Sequence, residues 1–250
     1  MRGTLVVCAN FEQLCREAAR RIVATVGEPP ARRRCHHSVA LAGGTTPRGL
    51  YELLASEGFR SRIPWPTVHF FWGDERLVPL DHPESNYRMA RDALLRHVPV
   101  PRANIHPVPV HLAAEQAAES YEQELRGFFR RRRGVPSFDL ILLGLGADGH
   151  TASLFPGAAS LRERERLVVA ARASSATPRV TLTLPVLNQA RRVFFLVAGE
   201  EKAAALAAAV EGTDAPGGRV APAKGELVWL VVAAAASRLK QPRVRFGSGR

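Results

Sequence analysis

Leu140-Ile141-Leu142-Leu143-Gly144-Leu145-Gly146-Ala147-Asp148-Gly149-His150-Thr151 decides how the rest of the chain is read. Four apolar residues end abruptly in a glycine-rich turn that carries an aspartate and a histidine. A short apolar run bounded by turn residues is the pattern of a strand buried on both faces, and α/β proteins present titratable side chains where such strands end. Gly144, Gly146 and Gly149 also spell GxGxxG, the spacing of a dinucleotide-binding turn. That motif needs a helix directly after it and an acidic residue about twenty positions on, at the end of a second strand. Here Pro156 and Gly157 interrupt any helix, and the next strand candidate, Leu167–Ala171, is followed by Arg172. The dinucleotide reading is therefore rejected.

Outward from this turn, further apolar runs predict strands at Thr4–Ala9, Ser38–Ala42, Val68–Trp72, Val180–Leu184, Val193–Val197 and Leu227–Val232. Helical patterns lie between them. Asn10 and Gln13 have the spacing of a capping box, opening a helix to about Val26. Thr46 as cap and Pro47 in the first turn predict a helix to about Ser56. Others are expected over Ser85–Leu95, Leu112–Arg132 and Glu200–Val210, with a short one after Val232. Glu211–Ala223 reads as a mobile polar loop. Alternation of strand and helix predicts an α/β fold: a doubly wound, mainly parallel, Rossmann-like sheet with helices on both faces. Residues 1–239 are expected to form a single domain, and 240–250 a basic, flexible tail.

The composition narrows the function classes. Hydrophobic content of 46% supports a sizeable core, yet no apolar run is long enough to span a membrane, and the N-terminus lacks signal-peptide character. Cys8, Cys15 and Cys35 form no CxxC pair and suit a reducing, cytoplasmic setting. The eight histidines include no HExxH, so no metal is expected. The net charge of +12 raises the question of nucleic acid. However, all but three of the 35 basic residues are arginines, as codon bias alone can produce. Arg32–Arg34 and Arg130–Arg133 fall where a loop and a helix end are predicted, so solvated surface is favoured over a nucleic-acid face. The charge also suits steering of small anions.

Four glycine-led segments each follow an apolar strand: Gly43–Pro47, Gly73–Arg76, Gly144–Thr151 and Gly199–Lys202. Parallel strands end at one edge, so these loops are expected to converge on one crevice. Gly43, Gly44 and Thr45 enter a helix, where free N–H groups favour an anion such as phosphate. Asp74 and Arg76, two apart on extended backbone, face the same side. Lys202 stands near a helix start, which is unfavourable for a cation unless an anionic partner compensates it. His150, whose imidazole can accept and return a proton, suits general-base work on water, with Asp148 placed to orient its ring or tighten the turn.

Taken together, these segments resemble the 6-phosphogluconolactonase family. The resemblance is carried by Leu41–Pro47, Val68–Arg76 with His82–Tyr87, Phe138–Pro156, Arg179–Pro185 with Asn188, and Gly199–Ala203. Its most specific piece is Asp148–Pro156. It implies cofactor-free hydrolysis of 6-phospho-D-glucono-1,5-lactone in the oxidative pentose phosphate pathway; a monomer or weak oligomer is expected, although the sequence itself does not fix the oligomeric state. It further implies His150 as general base, Asp74 and Arg76 lining the site, and Lys202 with the Gly44–Thr45 backbone on the phosphate side, assisted by Arg179. Arg76 or the N–H groups of Gly144–Gly149 are the candidate oxyanion donors. One departure is Val232, where relatives tend to carry an aspartate; it bears on the capping of the last helix. The competing readings are a glucosamine-6-phosphate deaminase-like enzyme and a non-catalytic sugar-phosphate-binding regulator domain. The deaminase-like enzymes place a glutamate where this chain has Phe155, and no DNA-binding module is evident for the regulator.

Overall fold

A computed structural model describes residues 3–30, 35–172, 177–212 and 215–240, and the backbone of 245–246. In chain order the strands are β1 (Thr4–Cys8), β2 (His37–Leu41), β3 (Val68–Trp72), β4 (Asp74–Arg76), β5 (Leu140–Leu143), β6 (Val168–Ala171), β7 (Arg179–Leu182), β8 (Arg192–Val197), β9 (Glu226–Val232) and β10 (Arg245–Phe246). The α-helices are α1 (Phe11–Gly27), α2 (Thr45–Ala55), α3 (Glu57–Arg60), α4 (Asn86–Ala90), α5 (Ala114–Phe128), α6 (Leu184–Gln189) and α7 (Ala203–Val210).

Seven strands form one sheet in the order β10-β1-β9-β8-β5-β2-β3, and each neighbouring pair runs parallel. The expected doubly wound parallel architecture is present. Strand β5 is buried at all four positions because it lies between β2 and β8 and is covered on both faces. The chain steps from β2 to β3 on one side, then crosses to β5 on the other. That reversal opens a crevice beyond the carboxyl ends of β2 and β5, where an open α/β sheet binds its ligand.

Several expectations need correction. Val180–Leu184 is not a strand of the main sheet: Arg179–Leu182 pairs antiparallel with β4 and β6 in a separate three-stranded sheet, and Leu184 begins α6. Gly73 joins the two sheets, donating its N–H to Leu41 O and accepting from the Leu182 N–H, both at 2.9 Å. Helix α2 is preceded by Gly44 (φ +102°) without a side-chain cap, so Thr46 lies within the first turn instead of capping it. Asn10 does cap α1, accepting the Gln13 N–H at 2.9 Å, while the Gln13 side chain accepts the Ala9 N–H at 3.1 Å. Ser85–Leu95 divides into α4 and a π-helical turn over Arg91–Leu95. Helix α5 stops at Phe128, leaving Arg130–Arg133 exposed beyond its end.

After Val232 the chain makes consecutive turns in place of a helix, consistent with alanines that favour helix but supply no cap. Within Glu211–Ala223, Pro216–Arg219 forms a 3-10 turn with Pro216 and Gly217 buried. Asn188 fastens that segment, donating to Arg219 O and accepting from the Ala221 N–H. In the expected tail, Arg245–Phe246 pairs with β1, while most of 240–250, like Arg32–Arg34, lies outside the described residues. Among the described residues no helix is long and apolar enough to cross a membrane.

Candidate active site

The crevice beyond β2 and β5 has a volume of about 200 Å³. It gathers residues from all four glycine-led segments: Gly43 and Gly44, Asp74 and Arg76, Gly144–Gly146 with His150, and Lys202, together with Arg179 from β7. Two predicted residues stand back from it. Thr45 is exposed at the first position of α2, and Asp148 sits behind His150.

The glycine turn is closed by its own hydrogen bonds. Gly146 N–H donates to His150 O at 2.8 Å, and Gly149 N–H donates to Gly146 O at 3.0 Å. Gly149 adopts φ +84°, which favours glycine, and its carbonyl accepts the Gly217 N–H at 3.0 Å. Thr151 adds a side-chain bond to Gly144 O at 2.9 Å. A Cβ on Gly146 would overlap His150 Nδ1 and Asp148 Oδ1, so the pair packs directly over this residue. Asp148 Oδ1 lies 2.5 Å from His150 Nδ1. Burial alone would raise the Asp148 carboxyl, but hydrogen bonds from the His150 backbone and ring hold it below its ordinary range. An ionised carboxylate only accepts, so Nδ1 carries the proton and Nε2 is left as the basic nitrogen.

Strand β4 explains how Asp74 and Arg76 reach the same crevice. Alternation along the strand sends Glu75 the other way, where it is wholly buried and accepts the backbone N–H groups of Arg76, Asn86 and Tyr87. Burial pushes the Glu75 carboxyl up, and those three donors oppose the rise. Asp74 is 7% exposed and accepts from Ser153 Oγ at 2.6 Å. The guanidinium of Arg76 is held by Glu84 O at 3.1 Å and Asn86 Oδ1 at 2.6 Å.

Arg179 reaches to 3.9 Å from Asp74 Oδ2, and its Nε is buried without a hydrogen-bond partner among the described residues. Burial, then the neighbouring Arg76 charge, lowers the Arg179 pKa from its usual value. Lys202 makes no ion pair among the described residues. Three cations thus face one crevice with Asp74 as the buried counter-charge within it, an imbalance that an entering anion would relieve. No group of three or more His, Cys, Asp or Glu suited to a metal occurs among the described residues.

Glu75, Asn86 and Ser153 were not singled out from sequence. All three lie inside segments that carry the family resemblance, but their partners are distant along the chain, so no local pattern marked them out individually.

The fold and crevice define a class: a parallel α/β protein with an aspartate-backed histidine facing a cationic cleft at its switch point. The chain belongs to the glucosamine-6-phosphate isomerase/6-phosphogluconolactonase family, whose model matches residues 9–229. It is 48% identical over 209 residues to a 6-phosphogluconolactonase of Synechocystis sp., covering 81% of this chain and 85% of that protein. It is 39% identical to the human 6-phosphogluconolactonase over 249 residues, covering 96% of this chain and 95% of that one. Among solved structures it is similar to 6-phosphogluconolactonase from Trypanosoma cruzi, with a TM-score of 0.84 and 32% identity over 96% of this chain and 98% of that chain. A monomeric glucosamine-6-phosphate deaminase, at 22% identity and a TM-score of 0.78, covers 94% of this chain and 99% of that one, and shares the fold.

Proposed function

We propose that this chain hydrolyses 6-phospho-D-glucono-1,5-lactone to 6-phospho-D-gluconate. The observation that carries the reading is the meeting, in one crevice, of an oriented imidazole and an excess of positive charge. The relatives named 6-phosphogluconolactonase at high coverage support the same substrate.

In this reading Lys202, Arg179 and the free N–H groups at the start of α2 hold the phosphate, with Gly43 and Gly44 letting it approach the backbone. His150 Nε2 takes a proton from water as the oxygen attacks the lactone carbonyl. The carbonyl oxygen becomes an oxyanion, the ring C–O bond then breaks, and the departing alkoxide takes a proton back from the imidazolium. Gly146 and Gly149 already spend their N–H groups inside the turn, so Arg76, engaged through Nη1 alone, is the better-supplied oxyanion donor. Asp74 serves as the buried counter-charge to Arg179. The reaction needs no cofactor, and a cytoplasmic location and a role in the pentose phosphate pathway belong to the same reading. The +12 charge is taken to steer anionic substrate, with no nucleic-acid role.

A deaminase needs further acid/base groups near the imidazole. Here the Phe155 ring lies 4.8 Å from the His150 ring and supplies none. The test follows freshly made lactone by stopped flow against its spontaneous decay. Acceleration that saturates with substrate is expected. A rate equal to spontaneous decay, or ammonia released from glucosamine 6-phosphate, would overturn the assignment.

A further inference from the structure

The Asn86 side chain connects three parts of the crevice that are remote in sequence. It is 2% exposed at the first turn of α4. Its Oδ1 accepts from Arg76 Nη1 at 2.6 Å, and its Nδ2 donates to Asp74 O at 2.8 Å and to Asp74 Oδ1 at 3.4 Å. Its backbone N–H is fixed on Glu75 Oε1 at 2.7 Å. On its remaining side it meets the loop after β2 so closely that a Cβ on Gly43 would overlap the Asn86 amide.

We infer that Asn86 is a positioning residue for the hydrolysis proposed above: it fixes Arg76 and Asp74 relative to each other and to the Gly43–Gly44 loop. Only an amide serves all of these contacts at once. It accepts from a cation and donates to a carboxylate from the same planar group, with no charge of its own. The requirement for glycine at 43 then has a second cause besides ligand approach, because the amide occupies the space that a methyl group would fill.

The charged groups facing Asn86 define a distinctive behaviour for Asn86→Asp. Asp74, Arg76 and Glu75 come from β4, Arg179 from β7, and His150 and Lys202 line the same crevice. In that variant an ionised carboxylate accepts from Arg76 but faces Asp74 as a like charge. A protonated carboxyl restores the amide pattern, its O–H donating to Asp74 and its carbonyl accepting from Arg76. The deficit of Asn86→Asp relative to the wild type should therefore shrink as pH falls.

The experiment combines lactone hydrolysis and thermal unfolding of the wild type, Asn86→Ala, Gly43→Ala, the double variant and Asn86→Asp. Asn86→Ala is expected to lose about 100-fold in kcat/KM, mainly through kcat, as misplacement of reacting groups does. Gly43→Ala should produce a similar loss by displacing the amide. In kcat the double variant should be no worse than Asn86→Ala, since truncation removes the atoms with which the new methyl collides, while any cost to phosphate approach falls on KM. Additive losses in kcat, a ratio of Asn86→Asp to wild-type activity that is flat with pH, or near-normal kcat in Asn86→Ala would each overturn the role. Wild-type inactivity would instead sink the lactonase reading. In that event the melting temperatures still decide the contact: Gly43→Ala lowers the wild-type value but leaves that of Asn86→Ala unchanged, and equal lowering in both refutes it.

Discussion

Asp148 holds His150 at two points: one carboxylate oxygen lies 2.5 Å from ring Nδ1 and accepts the backbone N–H of the same residue at 3.1 Å. The imidazole is thereby fixed in both tautomer and direction by a residue two positions earlier. Asp148→Asn keeps the shape but offers an amide that can also donate, admitting the wrong tautomer. Because the Asp148 side chain is 53% exposed, the loss should fall short of the ~10⁴-fold seen for a buried triad carboxylate. A kcat reduction of about 10- to 100-fold with KM little changed is expected from initial rates. The depressed Asp148 pKa sets the sign with pH. Its contribution is present above the ordinary aspartate range and disappears only as pH falls through its lowered value.

Lys202 lies in the crevice without an ion-pair partner among the described residues, and the proposed function makes the substrate phosphate its counter-charge. If that contact is equally strong in the ground and transition states, Lys202→Ala raises KM about tenfold and leaves kcat near normal. Inorganic phosphate should inhibit the wild type competitively and the variant less, with the difference shrinking at high salt. A loss confined to kcat would assign Lys202 to the chemistry instead.

On the far side of the fold, His69 Nδ1 lies 2.9 Å from His106 Nε2, and His106 Nδ1 lies 2.7 Å from Glu124. The His36 ring lies tilted against His69 at 4.7 Å between ring centroids, with Phe128 completing the cluster. Burial, then the His36 and His106 charges, pushes the His69 pKa down to about 4. A histidine lowered in the folded state binds fewer protons there than when unfolded. Stability is therefore full above the unfolded value near 6.5 and is lost as pH falls toward 4. Discounted for partial solvent access, the loss should be about 1 kcal/mol by urea unfolding at pH 5 against pH 7.5. His69→Phe should flatten this acid limb, and an unchanged limb would remove His69 as its source.

Much of this arrangement is legible in the sequence. Leu140–Leu143 and the turn after it announce both the central strand and the histidine, because burial on both faces demands an unbroken apolar run. The convergence of Gly43, Asp74, His150 and Lys202 follows from parallel strands ending at one edge. What escapes is structure held by distant polar partners. Strand β4 is three charged residues with no apolar signature, and it exists because β7 pairs with it. Ser153 reaches Asp74 across 79 positions, and Asn86 joins three segments at once. Gly44, at φ +102°, precedes α2 where Thr46 looked the better cap, a backbone conformation that a string of residue types does not announce.

The most direct test of the central claim is single-turnover hydrolysis of 6-phosphogluconolactone by His150→Ala, alongside calorimetric binding of 6-phosphogluconate. Loss of the base should slow the chemical step by about 10²- to 10⁴-fold while product affinity stays within a few-fold of the wild type. Turnover close to that of the wild type, with binding intact, would contradict the account.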